Sequence, residues 1–201
     1  GQGPGQGAGK CRGPGRSDGT VEIVGTTMSE DTVSEIRSNV GLVFQDPDDQ
    51  LFMTTICDDV TFGPLNMGLS PDEASERAHR TLHDVGLAEL SSKPGQHLSF
   101  GQRKRAALAT VLSMEPDILV LDEPTSNLDP QSKRRMVELL EGVDKTLLIA
   151  THDMDVAWSL CDRAVVVDSG GIVADCTRDE IMGDALLLEE HGLELPYQAR
   201  T

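Results

Sequence analysis

Two adjacent carboxylates, Asp122 and Glu123, are the clearest chemical feature of the sequence, and they directly follow an apolar run at residues 118–121. Such a run predicts a buried core strand, and ligands of open α/β sheets bind at the carboxyl ends of strands. Neighbouring strand residues point to opposite sides, so we expect the two carboxylates to have different roles. A strand that delivers this pair predicts a site for a metal ion and a water molecule.

Polar residues also follow two other apolar runs. Val40 to Phe44 predicts a buried strand ending at Gln45, and Thr146 to Ala150 predicts another, ending at Thr151-His152. Each residue alone is a weak signal, because most polar residues after a strand are ordinary surface residues. Together with Asp122 and Glu123, they predict a cluster at one edge of a sheet.

An anion-binding turn is predicted before the carboxylates. Ser99 and Gly101 precede a basic amphipathic segment that predicts a helix from about Gln102 to Met114. The first N–H groups of a helix have no partner within it and attract anions.

Glycine dominates the first 19 residues, which contain eight of the 20 glycines of the chain. The segment has no hydrophobic periodicity and is expected to be disordered. Gly7-Ala8-Gly9-Lys10 is similar to the core of a phosphate-binding loop, whose backbone N–H groups and Lys hold phosphates. Three features depart from that loop: Pro4 replaces the first Gly, Cys11 replaces the hydroxyl that binds Mg²⁺, and no strand precedes the loop or helix follows it. We expect a truncated or misread N-terminus, and the role of Lys10 stays open.

The strings LSFGQ (98–102), ILVLDE (118–123) and SNLD (126–129) occur in the order of the signature, Walker B motif and D-loop of ATP-binding-cassette (ABC) ATPases. From about residue 18 to the end, the chain resembles that family. The resemblance implies an α/β fold: a P-loop NTPase domain of the ABC ATPase type, with a parallel-sheet core and a helical subdomain at about 53–115. On this interpretation residues 20–201 form the domain, residues 1–19 hold a degenerate Walker A motif, and the first strands and phosphate-loop helix are missing or incomplete.

The resemblance also implies the substrate and the site. The domain would bind ATP with Mg²⁺. Asp122 and Gln45 would hold the metal, and Glu123 and His152 would contact the attacking water and the γ-phosphate. The phosphate loop would supply Gly7, Gly9, Lys10 and Cys11. The remaining nucleotide contacts would face the ATP of a second subunit and comprise Ser99, Gly101, Gln102 and Asp129.

Two segments narrow the resemblance to the cobalt/nickel and energy-coupling-factor importer ATPases: residues 48–52 (DDQLF) and 61–66 (TFGPLN). That branch implies an ATPase powering import of a metal ion or a vitamin. Its partners would be a second ABC ATPase subunit, identical or paralogous, and a transmembrane coupling subunit. The protein would lie at the cytoplasmic face of the cell membrane.

Composition excludes several other classes. Lys and Arg number 17 against 34 Asp and Glu, giving a net charge of −17, which disfavours binding to nucleic acid or anionic lipid. No apolar stretch is long enough for membrane insertion, and the four cysteines have no CxxC spacing. A composition poor in Lys and rich in Asp and Glu resembles that of a salt-adapted, haloarchaeal-type proteome. The alternative is simply an acidic soluble protein.

Two other functions compete with this interpretation. A soluble ABC ATPase of DNA repair or translation is disfavoured by the acidity and by the lack of heptads between Gln45 and the signature. A defective, non-hydrolysing cassette that only binds partner subunits is favoured by the degenerate phosphate loop and disfavoured by the intact Glu123 and His152.

Overall fold

The computed structural model describes residues 19–197, and the chain divides into two compact units, residues 1–36 and 37–201. In the first unit, β1 (Glu22–Ile23) and β2 (Thr26–Thr27) form an antiparallel hairpin. The alternating residues 20–25 predict a single strand, and this prediction is wrong because the chain reverses at Val24-Gly25. Both residues have positive φ, 51° and 76°, as a two-residue hairpin turn of this type requires. Helix α1 (Val33–Asn39) follows the hairpin.

A parallel three-stranded sheet forms the centre of the second unit, in the order β3-β4-β5. Its strands are β3 (Val40–Val43), β4 (Ile118–Asp122) and β5 (Thr146–Ala150). Val43 lies opposite Leu121, and Asp122 lies opposite Ala150. The carboxyl ends of all three strands therefore meet at one edge of the sheet.

Helices connect these strands, as parallel pairing requires. Between β3 and β4 lie α2 (Ile56–Asn66), α3 (Pro71–Asp84) and α4 (Phe100–Leu112), and between β4 and β5 lies α5 (Pro130–Glu141). Capping boxes start α2, α3 and α4 at Thr55, Ser70 and Ser99, and Asp129 caps α5.

The chain after β5 forms α6 (Met154–Leu160), an antiparallel hairpin of β6 (Arg163–Asp168) and β7 (Gly171–Thr177), and then α7 (Arg178–Gly183) and α8 (Ala185–Glu190). No helix within residues 19–197 combines the length and the apolar character that crossing a membrane demands.

Three hydrophobic clusters hold the second unit together. The first joins α2, α3 and α4 through residues such as Ile56, Leu82 and Ala106, and the third joins α6 to α8 around Ile181 and Leu188. The second packs one face of the sheet on α4 and α5, and its buried members are Val43, Leu108, Val111, Leu119, Leu121, Met136 and Leu140. Helix α4 contributes to two clusters and is the element around which this unit is built.

The opposite face of the sheet is open in the described part of the chain. Leu42 is 44% exposed and Leu148 is 61% exposed, and both lie beside Val120 in the strand register. The prediction that β3 and β5 are buried strands is therefore wrong on this face. Apolar runs favour burial on both faces, but α4 and α5 cover only the face that carries Val43, Leu119 and Leu121.

Candidate nucleotide-hydrolysis site

Three of the predicted site residues lie at the same edge of the sheet. Gln45 follows β3 by two residues, Asp122 is the last residue of β4, and His152 follows β5 by two residues. Gln45 and Asp122 are exposed. The carboxylate and amide oxygens available here are hard donors of the kind that Mg²⁺ prefers, so this set fits the metal.

Glu123 and His152 contact each other directly. Oε1 of Glu123 lies 2.6 Å from Nδ1 of His152 and accepts a hydrogen bond from the His152 main-chain N–H at 3.0 Å. The Thr151 hydroxyl donates to Oε2 at 3.3 Å. The Glu123 side chain is only 18% exposed, whereas that of His152 is 78% exposed. These contacts fix the carboxylate and leave the imidazole at the surface, where a reacting group can approach.

The backbone of Glu123 has an unusual conformation. Its φ is 44°, in the left-handed region that costs a residue with a Cβ about 1–2 kcal/mol. The conformation is held by the Glu123 N–H, which donates to Ala150 O at 2.9 Å, and by the Glu123 carbonyl, which accepts from Lys104 Nζ at 2.6 Å and from Ser126 Oγ at 3.0 Å. Strained backbone of this kind clusters at functional sites.

Lys104 also belongs to this site, although the sequence gives no signal for it. Residues 103–105 are a basic triplet, which we expect from the sequence to be solvated or paired with neighbouring residues. Yet Lys104 is only 3% exposed. Burial lowers the pKa of its ammonium, while the nearby Glu123, Asp122 and Asp46 carboxylates oppose that shift. Its neighbours Arg103 and Arg105 pair with Asp48 and with the Val85 carbonyl respectively.

The signature turn adopts a capped helix start. The Ser99 hydroxyl accepts from the Gln102 N–H at 3.3 Å, and the Gln102 side chain accepts from the Ser99 N–H at 2.8 Å. Gly101 is buried, and a Cβ there would lie 2.7 Å from Ser132 Oγ and 2.9 Å from Ser132 Cβ. Gly101 thus lets α4 approach the start of α5, a packing role that stands beside its predicted nucleotide role.

Asp129 caps α5 within its own chain. Its carboxylate accepts from the N–H groups of Gln131 and Ser132 at 3.0 and 3.1 Å. Hydrogen bonding from Ser132 lowers the pKa of this exposed carboxyl. Its predicted contact with a partner subunit stays a prediction.

The loop after Gln45 is tied to α4 by a residue with no predicted role. Gln50 donates to Ala107 O at 2.9 Å and to Thr110 Oγ1 at 2.6 Å, and it accepts from the Phe44 N–H at 3.3 Å. An isolated Gln in a loop gives no sequence signal for such a role. The predicted phosphate-loop residues Gly7, Gly9, Lys10 and Cys11 lie outside the described residues.

The sequence and the fold both match known proteins. The family model described as ABC transporter matches residues 11–126. A Streptomyces avermitilis protein named as an ABC transporter ATP-binding protein is 50% identical over 179 residues, covering 89% of this chain and 68% of the relative. The energy-coupling factor transporter ATP-binding protein EcfA of Carboxydothermus hydrogenoformans is 46% identical over 183 residues, covering 90% of this chain and 67% of the relative.

Two solved structures share the fold. The structure of cbiO1 from Clostridium perfringens, part of the ABC transporter complex cbiONQ, aligns with a TM-score of 0.74 and 36% identity over 89% of this chain and 73% of that one. A dimeric post-hydrolysis state of the ATP-binding cassette MJ0796, bound to ADP and Pi, aligns with a TM-score of 0.70 and 27% identity over 81% of this chain and 74% of that one. The residues at this edge of the sheet, the match to the family model and the identity to these relatives all agree. The chain belongs to the ABC transporter ATP-binding proteins and has their P-loop NTPase fold.

Proposed function

We propose that this chain binds and hydrolyses MgATP to power a membrane importer of a metal ion, such as cobalt or nickel, or of a vitamin. The position of the Glu123 carboxylate is the main support for hydrolysis, because it is held between His152 and Thr151 beside Asp122 at the edge of the sheet. A carboxylate fixed on one side by its own chain can accept a hydrogen bond from a water on the other, which orients that water for attack on the γ-phosphate.

The residues divide the work by their positions. Asp122 and Gln45 would hold Mg²⁺, which when bound neutralises charge on the phosphate oxygens. Glu123 would orient and polarise the water. His152, exposed yet tied to Glu123 through Nδ1, would contact the γ-phosphate and report its presence to the carboxylate. Positioning and charge carry this chemistry, since phosphoryl transfer asks for little covalent work from the protein.

A second ATPase subunit would complete each site. In this proposal Ser99, Gly101 and Gln102 cover the nucleotide of the partner, identical or paralogous, and the partner covers the nucleotide of this chain. The dimeric cassette bound to ADP and Pi, which shares this fold, supports the arrangement. Ser99 is exposed at the start of α4, as a residue that meets another subunit must be.

An apolar surface near the Gln45 loop would dock the transmembrane subunit. Phe52 is 65% exposed and Phe62 is 44% exposed, and their rings pack edge to face with centroids 5.4 Å apart. Met53 and Leu65 are also exposed. Exposed apolar patches of this kind mark interaction sites. Docking here would hold the protein at the cytoplasmic face of the membrane.

The proposed cargo rests on two relatives. One is an energy-coupling factor transporter protein, and the other is part of the cbiONQ complex. Transport of the candidate metals by membrane vesicles that contain this chain and its coupling subunit would separate metal import from vitamin import.

A non-hydrolysing cassette is the second candidate, because the Gly7 to Cys11 segment departs from a phosphate loop. The test measures ATP binding and turnover by the full chain, by Glu123→Gln, and by the control Glu141→Gln, an exposed carboxylate at the end of α5. Turnover should fall by about a hundredfold or more in Glu123→Gln, with ATP still bound and the control unchanged. Binding without turnover in the unmodified chain would establish the non-hydrolysing alternative.

A further inference from the structure

A lysine is buried beneath the proposed catalytic carboxylate. Lys104 lies in the second turn of α4, and only 3% of its surface is exposed. An ammonium at such a position must be paired, because an unpaired buried charge is strongly disfavoured. Its partners therefore indicate why it is there.

Both hydrogen-bond partners of Lys104 belong to the turn that follows β4. Nζ donates to the carbonyl of Glu123 at 2.6 Å and to the hydroxyl of Ser126 at 3.0 Å. The same Ser126 hydroxyl donates to the same carbonyl at 3.0 Å, and the Ser126 N–H donates to it at 3.2 Å. Three donors thus converge on the carbonyl of the one residue at this edge whose side chain would orient water.

The geometry of Glu123 explains what those donors achieve. Its φ of 44° is one that a residue with a Cβ rarely adopts, and such backbone persists only where its surroundings over-determine it. The Glu123 N–H is held on β5 by Ala150 O at 2.9 Å, and its carbonyl is held on α4 by Lys104. The direction of the carboxylate follows from these two anchors.

We propose that Lys104 is a positioning residue: its bonds to the Glu123 carbonyl and to Ser126 link the signature end of α4 to the carboxylate of the same chain. Lys104 follows Gln102 by two residues on the same continuous helix, which Ser99 caps. A shift of the signature end therefore moves Nζ, and with it the main chain of Glu123. In the proposed dimer, closure of α4 over the partner's ATP aligns the carboxylate that serves the chain's own ATP. This inference rests on the proposed role of Glu123.

The experiment compares Lys104→Met with Arg105→Met in the full chain. Methionine keeps a long unbranched side chain in the buried space and removes the donors. Arg105 is the matched control, because it is the next residue of α4 and its Nη1 also anchors a carbonyl, that of Val85 at 2.6 Å, away from the sheet edge. Measurements are kcat and KM for ATP, amide hydrogen exchange of Ser126, and Tm.

Lys104→Met should lower kcat about 10- to 100-fold, as loss of a residue supporting a catalytic group typically does, with KM unchanged and protection of the Ser126 amide lost. Arg105→Met should change neither kcat nor that protection. If Lys104→Met lowers only Tm, and its kcat and Ser126 exchange match those of Arg105→Met, Lys104 merely stabilises the fold and the inference is overturned.

Two other outcomes are possible, and each still tests the role of Lys104. If the unmodified chain does not turn over ATP, the proposed function fails, and Ser126 exchange alone then decides whether Lys104 positions the turn. If Lys104→Met does not fold, Ser126→Ala takes its place, because it removes one Lys104 acceptor and one donor to Glu123. Faster exchange at residue 126 in that variant supports the inference, and unchanged exchange overturns it.

Discussion

At the scale of single residues, two of the histidine–carboxylate pairs within residues 19–197 have the same chemistry in different places. His152 Nδ1 lies 2.6 Å from Glu123 at the sheet edge, and His191 Nδ1 lies 2.9 Å from Asp168 after α8. The hydrogen bond from His191 is the main reason that the pKa of Asp168 is lowered. The second pair is therefore a control for the first within the same molecule.

His152→Ala should reduce kcat for ATP by about a hundredfold, the usual scale for a group that takes part in acid–base or water-orienting work. ATP binding should persist, because Asp122 and Gln45 are untouched. His191→Ala should leave turnover unchanged and let the pKa of Asp168 return toward its ordinary value, which NMR titration would detect. Equal turnover in the two variants would refute a specific role for His152.

At the scale of secondary-structure elements, the contact of α4 with α5 depends on Gly101. A Cβ at this position would lie within 3 Å of two Ser132 side-chain atoms, so one of the helices would have to move. The same helix carries Lys104. It also carries Ala107 O and Thr110 Oγ1, which accept hydrogen bonds from the Gln50 side chain. The position of α4 therefore bears on the ends of β3 and β4.

Gly101→Ala should lower the free energy of unfolding by about 1–3 kcal/mol, the usual cost of overpacking. Urea denaturation would measure it, alongside Gly183→Ala as a control, since a Cβ at Gly183 meets nothing within 4 Å. Adding Ser132→Gly to Gly101→Ala removes the clashing atoms. A double-mutant cycle should therefore show a favourable coupling between the two substitutions. If their effects on the free energy of unfolding simply add, the clash with Ser132 is not the cause of the destabilisation.

At the scale of the whole molecule, the net charge of −17 is the dominant property. Self-repulsion of this kind destabilises a compact state, and salt screens it, with a Debye length of about 10 Å at 0.1 M and 3 Å at 1 M. The exposed ion pairs that salt also weakens contribute little. Stability should therefore increase with ionic strength.

Raising KCl from 0.1 to 1 M should raise Tm, where each ~1 kcal/mol gained corresponds to about 2–4 °C for a chain of this size. Calorimetry or circular dichroism would follow it. KCl is the suitable salt, because sulfate and phosphate also strengthen hydrophobic burial and would raise Tm without any screening. A Tm that stays constant or falls over this range would contradict the electrostatic argument.

The fold and the chemical positions of the site follow from local pattern, and the packing around them does not. Asp122 and His152 were predictable as strand-end residues because each follows an apolar run, and parallel strands align their carboxyl ends. The burial of Lys104 was not, because a lysine between two arginines has the pattern of a solvated helix face. The left-handed φ of Glu123 was not predictable either, since it depends on bonds to α4 and β5 that are distant in sequence. The same holds for the reversal at Val24-Gly25, which an alternating run of six residues conceals.

The open face of the central sheet has a practical consequence for handling the protein. Leu42 and Leu148 remain exposed there, beside Phe44 at 45% exposure. At low ionic strength the negative charge keeps molecules apart, but screening lets apolar faces meet. We therefore expect the salt that protects the fold against heating to promote association of concentrated samples, which light scattering over the same KCl series would measure. Thermal stability and colloidal stability of this chain should then have opposite salt optima, and a storage buffer should balance the two.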